Sequence, residues 1–142
     1  MRTHLAIALA LLLALPGCGG HAASPEAVVR AWSKALNAGD NARAADLFAA
    51  RATIVQGGTE LRLEDPKDAL DFNRALPCSG RIVELHRRGS LVTATFVLGN
   101  RAASHCDGPG ERARTVFRVR RGKIVLWHQV PVPGRVPTTP TV

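Results

Sequence analysis

The 142-residue chain has no tyrosine, one methionine, two tryptophans and four phenylalanines. Without tyrosine there is no phenol to hold a developing oxyanion. With so few rings there is no row of aromatics for bases to stack on, and the positive charges are spread out rather than gathered in a stripe. Nucleic acid is therefore not an expected partner. Acids are scarce as well: 11 against 19 lysines and arginines, a formal net charge of +8. The lysines are only Lys34, Lys67 and Lys123; the other basic residues are arginines. A basic surface lying near anionic lipid is the simplest use of that excess. No CxxC or HxxxH spacing offers metal ligands, so neither a metal nor a cofactor is expected. The longest apolar run, Leu5 to Leu15, is shorter than the ~20 residues a bilayer-spanning helix needs.

What is present begins with that run. Arg2 and the α-amine precede it, and small residues follow, which is the pattern of a secretory signal peptide. The exit, Leu15-Pro16-Gly17-Cys18, resembles the lipobox of bacterial lipoproteins, with leucine three residues before the cysteine and a small residue just before it. The resemblance implies cleavage before Cys18 and lipid attached to its sulfur. The chain would then be exported and anchored to the outer side of a bacterial membrane, with membrane lipid as a partner. The alternative is an ordinary signal peptide cleaved near His21-Ala22-Ala23-Ser24. On the first reading residues 1–17 are the signal and 18–24 a short linker. Residues 25–132 form one domain and 133–142 a proline-rich flexible tail. The remaining ~125 residues suffice for a single core.

Assigning Cys18 to lipid leaves Cys78 and Cys106, an even pair in an oxidising compartment. A disulfide is expected between them, with free thiols or a metal pair as the alternatives.

Ser24-Pro25-Glu26 starts a helix: serine caps, proline occupies the first turn and an acid follows. Val28, Ala31, Trp32, Ala35 and Leu36 form its apolar face. Asp40 caps a second helix, expected over about Asn41 to Ala50 with Ala44, Leu47 and Phe48 inward. Two short strands follow, Ala52 to Gln56 and Thr59 to Glu64. Asp65-Pro66 starts a third helix with Leu70, Phe72, Asn73 and Leu76 facing the core, and Pro77 stops it. Four longer strands complete the chain as two hairpins, joined at Arg88-Gly89-Ser90 and at Arg121-Gly122. No internal repeat is visible.

This α+β order resembles a SnoaL-like member of the nuclear transport factor 2 superfamily. Gly39-Asp40 and Leu47-Phe48 match that group's opening helical hairpin. Arg118 to Ile124 matches its closing hairpin, with Arg121 where aspartate is common. The likeness covers about Pro25 to Val132. It implies a cone: a curved mixed or antiparallel sheet around a pocket, wrapped by three N-terminal helices. Functions in the superfamily run from isomerases, cyclases, hydrolases and dehydratases to non-catalytic binders. The Tyr-plus-acid pattern of steroid isomerases is absent, as is the pair of acids bracketing an arginine that epoxide hydrolases use.

Cross-strand parity supplies candidate pocket residues. If Arg121-Gly122 closes a regular hairpin, Val119 faces Ile124, Phe117 faces Leu126 and Thr115 faces His128, all toward the core. His128 is then the one titratable ring inside the cone, joined by Trp32, Gln56 and Asn73. It is either a general base or ligand-binding group, or a satisfied core histidine. Asp46 is a distant alternative acid. In the first hairpin, Val83, Leu85, Ala94, Phe96 and Leu98 would face inward and Ile82 outward. Trp127 would lie outside among valines, as part of a homodimer contact through the sheet or under the tail. The function these readings favour is a membrane-anchored, non-catalytic domain that binds a small apolar molecule or a protein partner. The alternative is an isomerase, cyclase or hydrolase centred on His128.

Overall fold

The structure, a computed structural model, describes residues 22–134. The expected signal peptide, Cys18 and the part of the expected tail beyond residue 134 lie outside the described residues.

Helix α1 runs Pro25–Asn37, and the Ser24 hydroxyl accepts from the Ala27 amide at 3.2 Å. Its buried stripe is Val28, Val29, Trp32, Ser33, Ala35 and Leu36. Helix α2 is capped by Asp40, whose carboxylate accepts from the Arg43 amide at 3.0 Å. It spans only Asn41–Asp46. The helix expected to reach Ala50 therefore stops early, and Phe48 opens strand β1 (Phe48–Gln56). The cause is tertiary. The Ile124 amide donates to the Leu47 carbonyl at 2.8 Å, and Phe48 pairs with Ile124, so sheet pairing overrides helical propensity here.

Strand β2 (Thr59–Arg62) returns along β1. Helix α3 (Pro66–Ala75) has a full capping box between Asp65 and Asp68. Strands β3 (Cys78–Arg88), β4 (Leu91–Asn100), β5 (Arg112–Arg120) and β6 (Lys123–Val130) follow. The six strands form one curled sheet in the order β2-β1-β6-β5-β4-β3, antiparallel except for β1 beside β6. Helix α1 lies across β3 to β6. Every buried apolar side chain of the core cluster falls between Val28 and Trp127, so the unit carries its own core. This is the expected cone. Among the described residues no helix is long and apolar enough to cross a membrane.

Both long hairpins depart from regular register, and the departures decide which side chains face inward. In β6 the register shifts between the Val119–Ile124 and Arg118–Leu126 pairs, so Val125 is an extra residue. In β3 it shifts between Ile82–Phe96 and Glu84–Thr95, so Val83 is extra. A bulge of one residue reverses the facing of everything beyond it. Beyond Val125, Phe117 pairs with Trp127 and Thr115 with Gln129. His128 instead pairs with Val116 on the face away from the helices and is half-buried. The inward placement of His128 and the outward placement of Trp127 are both overturned by that residue. Val83 likewise exchanges the expected roles of Val83 and Ile82: Ile82 packs against the core opposite Phe96.

Candidate functional site

Near the hairpin turns the inside of the cone is filled. Val92, Phe117 and Ile124 are fully buried there, with Val119 beside them. Past the bulges the side chains shorten to Gly80, Ala113 and Thr115, and a cavity of about 320 Å³ opens between sheet and helices.

Its floor is aromatic. Trp32 meets Phe96 and Phe117 with ring centroids 6.2 and 5.3 Å apart. Trp127 lies 5.3 Å from Phe72, nearly perpendicular to it. Trp32 is locked by a hydrogen bond: its indole N–H donates to Asn73 Oδ1 at 2.8 Å, and Asn73 Nδ2 donates to the Ala69 carbonyl at 2.7 Å. Trp127 has no such support. It is 5% exposed and lines the cavity, yet its indole N–H meets no acceptor among the described residues.

Strand β3 is clamped to α1 at Gly80. The Gly80 carbonyl accepts from Ser33 Oγ and Asn37 Nδ2, both at 2.9 Å, and its amide donates to Asn37 Oδ1 at 2.8 Å. A Cβ at position 80 would sit 3.0 Å from the Phe96 ring, so glycine is what lets Phe96 lie against the strand.

The mouth is built differently. Gln56, Asp107, Glu111 and Gln129 line the cavity and are exposed. Gln56 Nε2 donates to Gln129 Oε1 at 2.8 Å and joins β1 to β6 along one edge. The opposite edge is the loop from β4 to β5. The Cys78–Cys106 disulfide, Cα atoms 4.5 Å apart, fastens this loop to β3, which bears out the expected pairing. The Cys106 amide also donates to Asn100 Oδ1 at 3.0 Å. Leu98 and the loop exchange two backbone bonds at 2.8 Å, through Gly110 N–H and the Glu111 carbonyl. Glu111 folds over Gly108, where a Cβ would stand 2.9 Å from its carboxyl carbon. Below the loop, the Arg101 guanidinium donates to the carbonyls of Asn73 (2.8 Å) and Leu76 (2.7 Å) and to Asn41 Oδ1. Partial burial lowers its pKa from the usual arginine value.

Of the residues singled out by sequence, Trp32 and Gln56 line the cavity. Asn73 sits behind it as the support of Trp32. His128 does not line it. Asp46 is exposed, and its backbone carbonyl accepts from the Lys123 ammonium. Sequence reasoning turned Thr115 inward, and it lines the cavity. It did not find Trp127, Asp107, Glu111 or Gln129. Trp127 and Gln129 follow from the bulge, and the acids lie in a loop that strand parity does not reach. Chemically the cavity offers apolar walls, one unpaired donor and two carboxylates at the entrance.

No protein-family model matches the chain, and no curated protein matches it in sequence. Solved structures do resemble it. An NTF2-like protein of unknown function from Cytophaga hutchinsonii is 12% identical, with 75% of this chain and 88% of that one covered and a TM-score of 0.63. A protein with a ketosteroid isomerase-like fold from Catenulispora acidiphila, solved in complex with trimethylamine, is 20% identical over 75% and 85% of the chains, with a TM-score of 0.59. IdmH of Streptomyces antibioticus, a proposed polyketide cyclase, is 21% identical over 76% and 91%, with a TM-score of 0.58. At these identities the likeness is one of fold, and it agrees with the element order and the curled sheet described above. The chain has the nuclear transport factor 2-like cone fold, shared with these isomerase-like and cyclase-like structures.

Proposed function

We propose that the chain is an exported lipoprotein, held on the outer side of a bacterial membrane through lipid on Cys18, whose cone domain binds a small molecule without transforming it. One observation carries the binding part: a cavity of about 320 Å³, apolar within, whose titratable groups, Asp107 and Glu111, stand at the mouth. Its size is at the lower end of ordinary small-molecule sites, which run from roughly 300 to 1,000 Å³. Catalysis asks for a base or nucleophile with an orienting partner at about 2.6–3.2 Å. His128, the ring on which an isomerase, cyclase or hydrolase reading was centred, pairs with Val116 on the other face. An enzyme here would have to work with the two exposed acids at the entrance.

The anchor is supported by the lipobox-like run before Cys18 and by a domain that begins at Pro25, a few residues later. A second copy of the chain fits the outer sheet face, where Val97, Val116 and Leu126 are half-buried beside Arg114 and Arg118. Native mass spectrometry of the protein taken from its own membrane tests the whole scheme. The expected result is a lipid mass on a chain starting at Cys18, with a retained small molecule. An unlipidated chain cut after Ala22 or Ala23 overturns the anchor. Turnover of a released compound, lost in Asp107→Asn, overturns the non-catalytic reading.

A further inference from the structure

We infer that the filled end of the cone is a docking surface for anionic phospholipid, so that the domain stands on its hairpin turns with the cavity mouth directed away from the membrane. The inference rests on the anchored reading above and names the surface and the orientation that go with it. The two long hairpins turn beside each other: Leu91 pairs with Arg118, and the Val119 amide donates to the Ser90 carbonyl at 2.9 Å. That end carries Arg87, Arg88, Arg120, Arg121 and Lys123, all exposed. Helix α1 starts there too, because the Glu26 carboxylate stands 3.5 Å from the Arg87 guanidinium.

The charge at this end is uncompensated. Its contacts bring two acids close: Glu26, already paired with Arg87, and Asp46, whose backbone carbonyl accepts from the Lys123 ammonium. Among the described residues no carboxylate pairs with Arg88, Arg120, Arg121 or Lys123. Arginines elsewhere do meet acids: Arg51 with Glu64, Arg74 with Asp71 and Arg112 with Glu84. The length of the linker selects a membrane as the partner. Cys18 precedes Ser24 by six residues, which reach at most about 22 Å. Lipid on Cys18 would hold the start of α1, and the turns beside it, close to the headgroups. Val92, Phe117 and Ile124 fill this end from within. It therefore offers side chains to a surface rather than a pocket to a small anion, and the guanidinium fork suits phosphate. The mouth lies at the other pole. Helix α1 runs from the turns to Asn37, which clamps Gly80 in the open half. Strand β5 joins Arg120 to Arg112, eight residues away, or about 26 Å. Gln56 and Gln129, joined across the mouth edge, lie at that far end.

The test uses the chain from residue 22 onward, which contains the whole core and lacks Cys18, so it reads the surface apart from the anchor. Binding to vesicles is measured by sedimentation at low salt. Vesicles of phosphatidylglycerol and phosphatidylcholine in equal parts are expected to bind at least about a hundredfold more tightly than phosphatidylcholine alone, with the gap shrinking as salt rises. Arg120→Gln with Arg121→Gln is expected to weaken that binding about 25-fold, two charges at about fivefold each. Arg81 and Arg112 are exposed in the open half. Arg81→Gln with Arg112→Gln makes the same change in net charge there and is expected to weaken binding less than about threefold. If the first double variant misfolds, Arg88→Gln alone should still weaken binding about fivefold. Equal binding to both kinds of vesicle, or binding to neither, overturns the docking surface. So does an equal loss in the two double variants. None of these results touches the lipid on Cys18, whereas an unlipidated chain cut after Ala22 or Ala23 overturns the anchor and leaves the vesicle measurement unchanged.

Discussion

The two halves of each long hairpin make different use of the same sheet. Between the turns and the bulges, Val92, Val119 and Ile124 meet in a filled core. Beyond Val83 and Val125, Gly80, Ala113, Thr115 and Trp127 face the helices across open space. The sheet is continuous through both regions, so strand pairing alone does not separate them. The separation comes from one inserted residue in β3 and one in β6, followed by small side chains on the inward face. A cone of this kind is closed at one end by packing and opened at the other by register.

Trp127→Ala is the most severe way to break that contrast, because it removes the aromatic side chain that the bulge at Val125 turns inward. The expected loss is about 5 kcal/mol, the upper end for truncating a buried tryptophan, and urea unfolding checks it. Next comes truncation in either half. Ile124→Ala, in the filled half, is expected to cost about 4 kcal/mol. Leu98→Ala, half-buried on the cavity wall, is expected to cost about 1–2 kcal/mol, because that wall already faces open space. Equal losses by chemical denaturation would erase the distinction between the two halves.

The fastening of the mouth comes next in order. Cys78 and Cys106 are 28 residues apart. Replacing both by serine removes about 3 kcal/mol of loop-closure restraint in the chain-entropy account. Hydrogen exchange should rise in the 101–111 loop first, ahead of the filled half. The smallest effect is at the far turn. Arg121 and Gly122 both have positive φ, 50° and 73°, as a two-residue hairpin of mirror-image type requires. Asparagine tolerates that conformation better than arginine, so Arg121→Asn should stabilise the domain by about 0.5–1 kcal/mol, with no change at the cavity.

The fold was largely legible because its signals are local. Ser24-Pro25, Asp40 and Asp65-Pro66 are caps that read the same in sequence and in structure. Arg121-Gly122 is a turn that few other conformations accommodate. The early end of α2 was not legible, because Leu47 and Phe48 are recruited by Ile124, far away in sequence. The site was half legible for one reason. Trp32 and Gln56 lie on elements whose facing needs no long register, whereas His128 and Trp127 lie beyond a bulge. A signal for the bulges was nevertheless present. Ile82-Val83 and Ile124-Val125 are adjacent apolar pairs that break the alternation of their strands, and both shifts fall there. Neither pair contains glycine, so neither resembles the bulges that glycine marks. The mouth acids had no periodic signal, since a cystine and a backbone exchange with Leu98 hold their loop.

The central claim is that the far halves of the hairpins enclose a space a small molecule can fill. Ala113→Phe tests it most directly, because position 113 lines the cavity and a phenyl ring there would occupy it. Wild-type protein titrated with phenethyl alcohol should show a saturable change in tryptophan emission. The variant should unfold within about 1 kcal/mol of wild type and show no saturable change, because its ring takes space already open. A variant destabilised by about 3 kcal/mol, as overpacking a filled core would do, and a wild type that shows no saturation would contradict the claim.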